Sequence, residues 1–126
     1  AASLYLKNCG KYEGPGWPMM FGALEAVSRP ALDTYYANVG KCKAELPWQP
    51  WGEDVFLQNC MDHIGVGNTF DASLIQDGVC KGVSCGAKGV AAFHPFKSVD
   101  KWVACYLEAT GDLHVDAHAR LEAKDA

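Results

Sequence analysis

Six cysteines in 126 residues (Cys9, Cys42, Cys60, Cys80, Cys85 and Cys105) constrain this chain more than any other feature. An even number of cysteines in a small chain reads as a disulfide framework made in an oxidising compartment. Cross-links of this kind act chiefly by restricting the unfolded chain, at about 2–4 kcal/mol each. Six cysteines allow fifteen pairings, and sequence does not choose among them. The pairing expected here joins Cys60 to Cys105 between two helices, closes a small loop with Cys80 and Cys85, and links Cys9 to Cys42. Two other readings stand beside it. Six free thiols would pack as small hydrophobes. A zinc site would draw on Cys60 with His63 one helical turn on, and on Cys80 and Cys85, although their spacing matches no standard zinc signature.

The length fits one domain by the usual prior of roughly 100–200 residues. An apolar fraction of 49% and a charged fraction of 21% are those of an ordinary globular protein, which excludes global disorder. The net charge of −4 and the lack of a Lys/Arg run exclude a nucleic-acid footprint. No apolar stretch approaches the ~20 residues of a bilayer span. Docking on a membrane complex without crossing the membrane remains compatible with this composition. The opening Ala1-Ala2-Ser3 resembles a mature end left by cleavage after small residues. The expected home is therefore an oxidising lumen, of the secretory pathway or of the thylakoid.

The pattern along the chain predicts an α/β (α+β) fold: a small mixed sheet with about three helices, braced by disulfides. Residues 3–6 read as a short strand and residues 20–27 as a buried one. Residues 11–18 form a Gly/Pro-rich loop around Trp17. Ser28 is a good N-cap and Pro30 suits the first helical turn. Leu32, Tyr35, Tyr36 and Val39 follow at helical spacing, with Gly40 as the stop. A rigid aromatic segment runs from Leu46 to Trp51. A second helix starts near Gly52, buries Val55, Phe56, Cys60 and Ile64, and stops at Gly65. Residues 66–88 read as a Gly-rich loop and 89–93 as a strand. Ser98 caps a third helix whose Val99, Trp102, Val103 and Tyr106 share a face. One domain is expected over residues 1–109 and a polar tail over 110–126. So small a sheet leaves an edge uncovered, and such an edge invites a partner.

Three groups of residues bear on chemistry. Glu53 and Asp54 open a helix, where the macrodipole favours carboxylates for structural reasons. In the functional reading one of them is a general base. His94, at a strand end between Phe93 and Pro95, is a core or turn residue in the structural reading and a ligand for a divalent metal in the functional one. Trp17, Trp48, Trp51 and Trp102 are core residues by default. In its Pro-rich loop, Trp17 or Trp48 would alternatively stack on a sugar or anchor a protein interface.

Three stretches stand in a fixed order: Phe21-Gly22-Ala23-Leu24 with Ser28-Arg29-Pro30-Ala31-Leu32; Glu53-Asp54-Val55 with Cys60 and Ile64-Gly65-Val66; and Phe93-His94-Pro95-Phe96. In this order they resemble the acceptor-side, C-terminal half of GT-A glycosyltransferases of the fringe and core-1 β1,3-galactosyltransferase type, as in glycosyltransferase-like proteins of unicellular algae. The resemblance covers about residues 4–107. It implies a remnant of the GT-A fold, with Asp54 at the place of the catalytic base and His94 at that of the metal ligand. The metal implied is a divalent ion such as manganese, required only if the protein is an enzyme. The family's Asp-x-Asp motif, which holds metal and nucleotide diphosphate, has no counterpart among these residues, and the nucleotide-binding half is expected to be missing.

The function expected on these grounds is that of a non-catalytic glycosyltransferase-like domain. It would serve as an accessory subunit of a larger protein assembly, such as an algal photosystem on its lumenal side, with no cofactor. Trp17, Trp48 and Trp51 are its candidate interaction residues. One alternative is the acceptor half of a metal-dependent transferase whose nucleotide-binding half is a separate chain. Another is a carbohydrate-binding module in which the loop tryptophans stack on sugar rings.

Overall fold

The computed structural model describes residues 1–112. They form three helices and two small sheets of two strands each, the mixed α/β class expected. The chain divides into two compact units, Ala1–Ala72 and Ser73–Ala126. Of the tail expected over 110–126, Thr110 is the last residue of the third helix, and residues 113–126 lie outside the described residues. Among the described residues no helix is long and apolar enough to cross a membrane.

In the first unit, β1 (Leu4–Lys7) lies parallel to β2 (Gly67–Phe70), with Leu4 opposite Gly67 and Lys7 opposite Phe70. Parallel pairing needs a long crossover, and α1 (Arg29–Glu45) and α2 (Glu53–His63) lie within it. Ser28 starts α1 as its sequence position predicts. Its hydroxyl accepts the Ala31 N–H at 3.4 Å and also the Leu4 N–H at 2.9 Å, so one residue caps the helix and holds the strand. Gly40 does not stop α1, which runs on to Glu45. A lone interior glycine costs a helix only about 1 kcal/mol, and the Cys42–Cys60 disulfide anchors the extra turns to α2.

Residues 20–27 are not a strand. The segment touches the β1 region through two isolated antiparallel bridges, Cys9 with Met19 and Tyr5 with Val27. Between these bridges the buried Asn8 side chain supplies the partners a ladder would. Its Nδ2 donates to the carbonyls of Phe21 and Leu24, and its Oδ1 accepts the Phe21 N–H. Gln58, 4% exposed on α2, accepts the Met20 N–H through Oε1. Buried main-chain groups need partners, and two side-chain amides meet that need here.

The core of this unit is Tyr5, Met20, Ala31, Met61 and Val66, with Val27, Tyr35, Leu57 and Ile64 packed against it. On α2 the buried residues are Gln58, Cys60 and Met61. Val55 and Phe56 are only half-buried, so the inward face is rotated from the one expected. The Tyr5 hydroxyl donates to Asp62 at 2.6 Å. Burial, and then the Asp62 carboxylate, push this phenol well above its ordinary value. Gly65 ends α2 with φ of 84°, a region open chiefly to glycine.

In the second unit, β3 (Ile75–Asp77) pairs in parallel with β4 (Ala92–His94), placing Asp77 opposite His94. β2 and β3 both fall inside the segment expected to be loop. α3 (Val99–Thr110) is capped by Ser98, whose hydroxyl accepts the Lys101 N–H, and ends at Gly111 with φ of 73°. On its expected apolar face only Val103 is buried, while Val99 and Trp102 are 51% and 49% exposed.

The six cysteines form three disulfides and none is free, which is consistent with an oxidising compartment. Cys42 bonds Cys60, with Cα atoms 5.4 Å apart. Cys85 bonds Cys105, with Cα atoms 5.2 Å apart. All three pairings expected from sequence are thereby replaced. Cys60 takes the cysteine nearest on the neighbouring helix rather than Cys105, which removes Cys42 from Cys9. Cys85 anchors its loop to α3 rather than closing on Cys80. The free-thiol reading fails with them. So does the zinc pair of Cys60 and His63, because Cys60 carries no thiolate and His63 faces Glu45.

Candidate functional site

Glu53 and Asp54 occupy the first turn of α2, after an N-cap, Gly52, that offers no side chain. Helix N-termini present unpaired N–H groups and partial positive charge, and Asp54 serves both. Its Oδ1 accepts the Val55 N–H at 2.9 Å. Its Oδ2 reaches across to the Gly22 N–H at 3.1 Å, tying the 20–27 segment to the start of the helix. A Cβ on Gly22 would stand 3.4 Å from that oxygen, so the backbone approaches the carboxylate closely.

A third carboxyl, Glu25, completes the cluster. Its pKa is raised from 4.5 to about 7, first by desolvation, then by its hydrogen bond to Glu53 and the charges of Glu53 and Asp54. Tyr35 of α1 is also pushed up, by burial and then by the Glu53 charge, which places it beside the cluster. Nothing local in the sequence marks Glu25; it meets Glu53 and Asp54 because the Gly22–Asp54 and Met20–Gln58 bonds hold its segment against α2.

His94 stands at the end of β4. Its Nδ1 lies 3.0 Å from Oδ2 of Asp77, the residue opposite it on β3. The Asp77 side chain is 2% exposed and the His94 side chain 38%. The other oxygen, Oδ1, accepts the N–H groups of Val79 at 2.8 Å and Cys80 at 3.3 Å. Asp77 therefore fixes both a turn and the histidine ring, leaving Nε2 as the imidazole's remaining polar atom. The Asp77-Gly78 pair is a turn signal and was the available sequence clue. Asp54 belongs to the first unit and His94 to the second. Among the described residues no group of three or more His, Cys, Asp or Glu side chains is arranged to hold a metal ion.

The candidate interaction tryptophans are half-buried and have aromatic neighbours. Trp17 meets Tyr12 edge-on at 5.1 Å and Phe21 at 6.1 Å between ring centroids. Trp48 packs on Phe56 at 6.2 Å and donates its indole N–H to the Lys43 carbonyl. The Trp51 N–H bonds the Trp48 carbonyl. More exposed are Tyr36 at 74%, Tyr12 at 57% and Trp102 at 49%.

No protein-family model, curated protein or solved structure matches this chain.

Proposed function

We propose that the chain is a glycosyltransferase-like domain without catalytic activity, serving as a disulfide-braced accessory subunit of a larger protein assembly. The observation that carries this reading is the use made of Asp54. Both oxygens of Asp54 accept main-chain N–H groups, which commits the carboxylate to joining two segments. At the position that the resemblance gives to the base, this side chain works as a strut between the 20–27 segment and α2. Asp77 orients His94 through Nδ1, and among the described residues no further His, Cys, Asp or Glu side chains are arranged with it to hold a metal ion.

Exposed aromatic side chains supply anchors for protein partners, and Tyr12 and Tyr36, both in the first unit, offer them. The assembly proposed is an algal photosystem, met from the thylakoid lumen. The disulfides and the resemblance to algal glycosyltransferase-like sequences support it.

A second reading, the acceptor half of a transferase, is favoured by Glu25. A carboxyl that stays protonated near neutral pH beside ionised neighbours is what a general acid requires. Calorimetric titration of the full chain with manganese and uridine diphosphate sugars separates the two readings. The accessory reading expects no saturable heat. Manganese-dependent binding that Asp54→Asn or His94→Ala removes would overturn it in favour of the enzyme.

A further inference from the structure

The second unit holds a cavity of about 410 Å³ between the segment 87–96 and α3. That volume falls within the range of small-molecule sites, roughly 300–1,000 Å³. Its walls are more apolar than polar and carry four aromatic rings, Phe93 and Phe96 on the 87–96 segment and Trp102 and Tyr106 on α3. The two rings on α3 lie 5.1 Å apart and within 12° of parallel. They make a flat face, and Trp102 leaves half of its surface to solvent. Few polar side chains reach the space. The Thr110 hydroxyl is engaged with the Tyr106 carbonyl at 2.7 Å. Among the described lining residues Lys88 alone is charged, and it forms no ion pair with another described residue.

The described lining side chains offer a sugar few hydrogen-bonding groups. A flat apolar ring finds a stacking face and aromatic edges. A single cation at the rim complements a single negative charge. We infer that this cavity is a binding site for a small ligand with a flat hydrophobic ring system and one anionic group. The ring lies against Trp102 and Tyr106, and the anion faces Lys88. The Cys85–Cys105 disulfide holds the cavity's shape, because it pins the start of the 87–96 wall to α3.

The test uses two fluorescent probes that differ in charge on the same ring framework: 1-anilinonaphthalene-8-sulfonate and the neutral N-phenyl-1-naphthylamine. Both are titrated into the oxidised full chain at neutral pH. Both are expected to bind at about 10–100 μM, a modest affinity of roughly −5.5 to −7 kcal/mol. Lys88→Gln is expected to weaken the sulfonate three- to five-fold and leave the neutral probe unchanged. Ala109→Trp, which fills the cavity, is expected to weaken both at least ten-fold. Lys88 is exposed, so its substitution leaves folding intact and decides the question even if Ala109→Trp misfolds. Failure of both probes to bind below about 1 mM would overturn the inference, as would an equal effect of Lys88→Gln on both. A groove that serves a partner protein without selecting for charge would appear as the second of these results, probe binding that Lys88→Gln affects equally.

Discussion

Glu25→Gln tests the electrostatics of the carboxyl cluster. In the folded chain the Glu25 carboxyl titrates at about 7 instead of 4.5. A carboxyl whose folded value is raised binds its proton more tightly in the native state than in the unfolded one. Stability from this group is therefore fully present below about pH 4.5, falls as pH rises towards 7, and is gone above it. At about 1.4 kcal/mol per pH unit, the rise corresponds to roughly 3 kcal/mol if unscreened. Glu25 is exposed, and solvent screening reduces such terms to about 1 kcal/mol. Glutamine cannot ionise, and its amide can still donate to Glu53. Urea unfolding of both proteins from pH 4 to pH 8 is the assay. The variant's advantage is expected to grow from near zero at pH 4 to about 1 kcal/mol at pH 8. An advantage that is constant with pH, or a variant less stable than the parent at pH 8, would refute the reasoning.

Removing the Cys42–Cys60 bridge with paired alanines frees a loop of sequence separation 18. About 3 kcal/mol is expected from chain entropy, which lowers Tm by roughly 10 °C in a chain of this size; a fall of under ~3 °C in calorimetry would count against the entropic account. Met61→Ala empties a fully buried core position at a cost of about 2–5 kcal/mol, whereas Val99→Ala, on an exposed site, stays within ~0.5 kcal/mol in the same urea assay.

Local signals in the sequence mark helix starts well. Ser28 and Ser98 are caps, and Gly65 is a stop, because each acts through its own side chain or its lack of one. What is long-range is not legible. The strands of three and four residues, Ile75–Asp77 and Gly67–Phe70, are too short to show a period, and each is held by a partner elsewhere in the chain. Residues 20–27 look like a buried strand because they are apolar, yet Asn8 and Gln58 hold much of their backbone. Asp54 and His94 were legible as candidates. That Asp54 binds Gly22 and that His94 faces Asp77 depends on pairings that no local window contains.

The central claim is that this chain works as a member of a larger assembly. Its native mass, measured on protein isolated from its source without denaturation and with every co-migrating chain identified, tests that claim most directly. The account predicts a stable particle many times larger than the 13.6 kDa of the chain itself. A free monomer of that mass would contradict it.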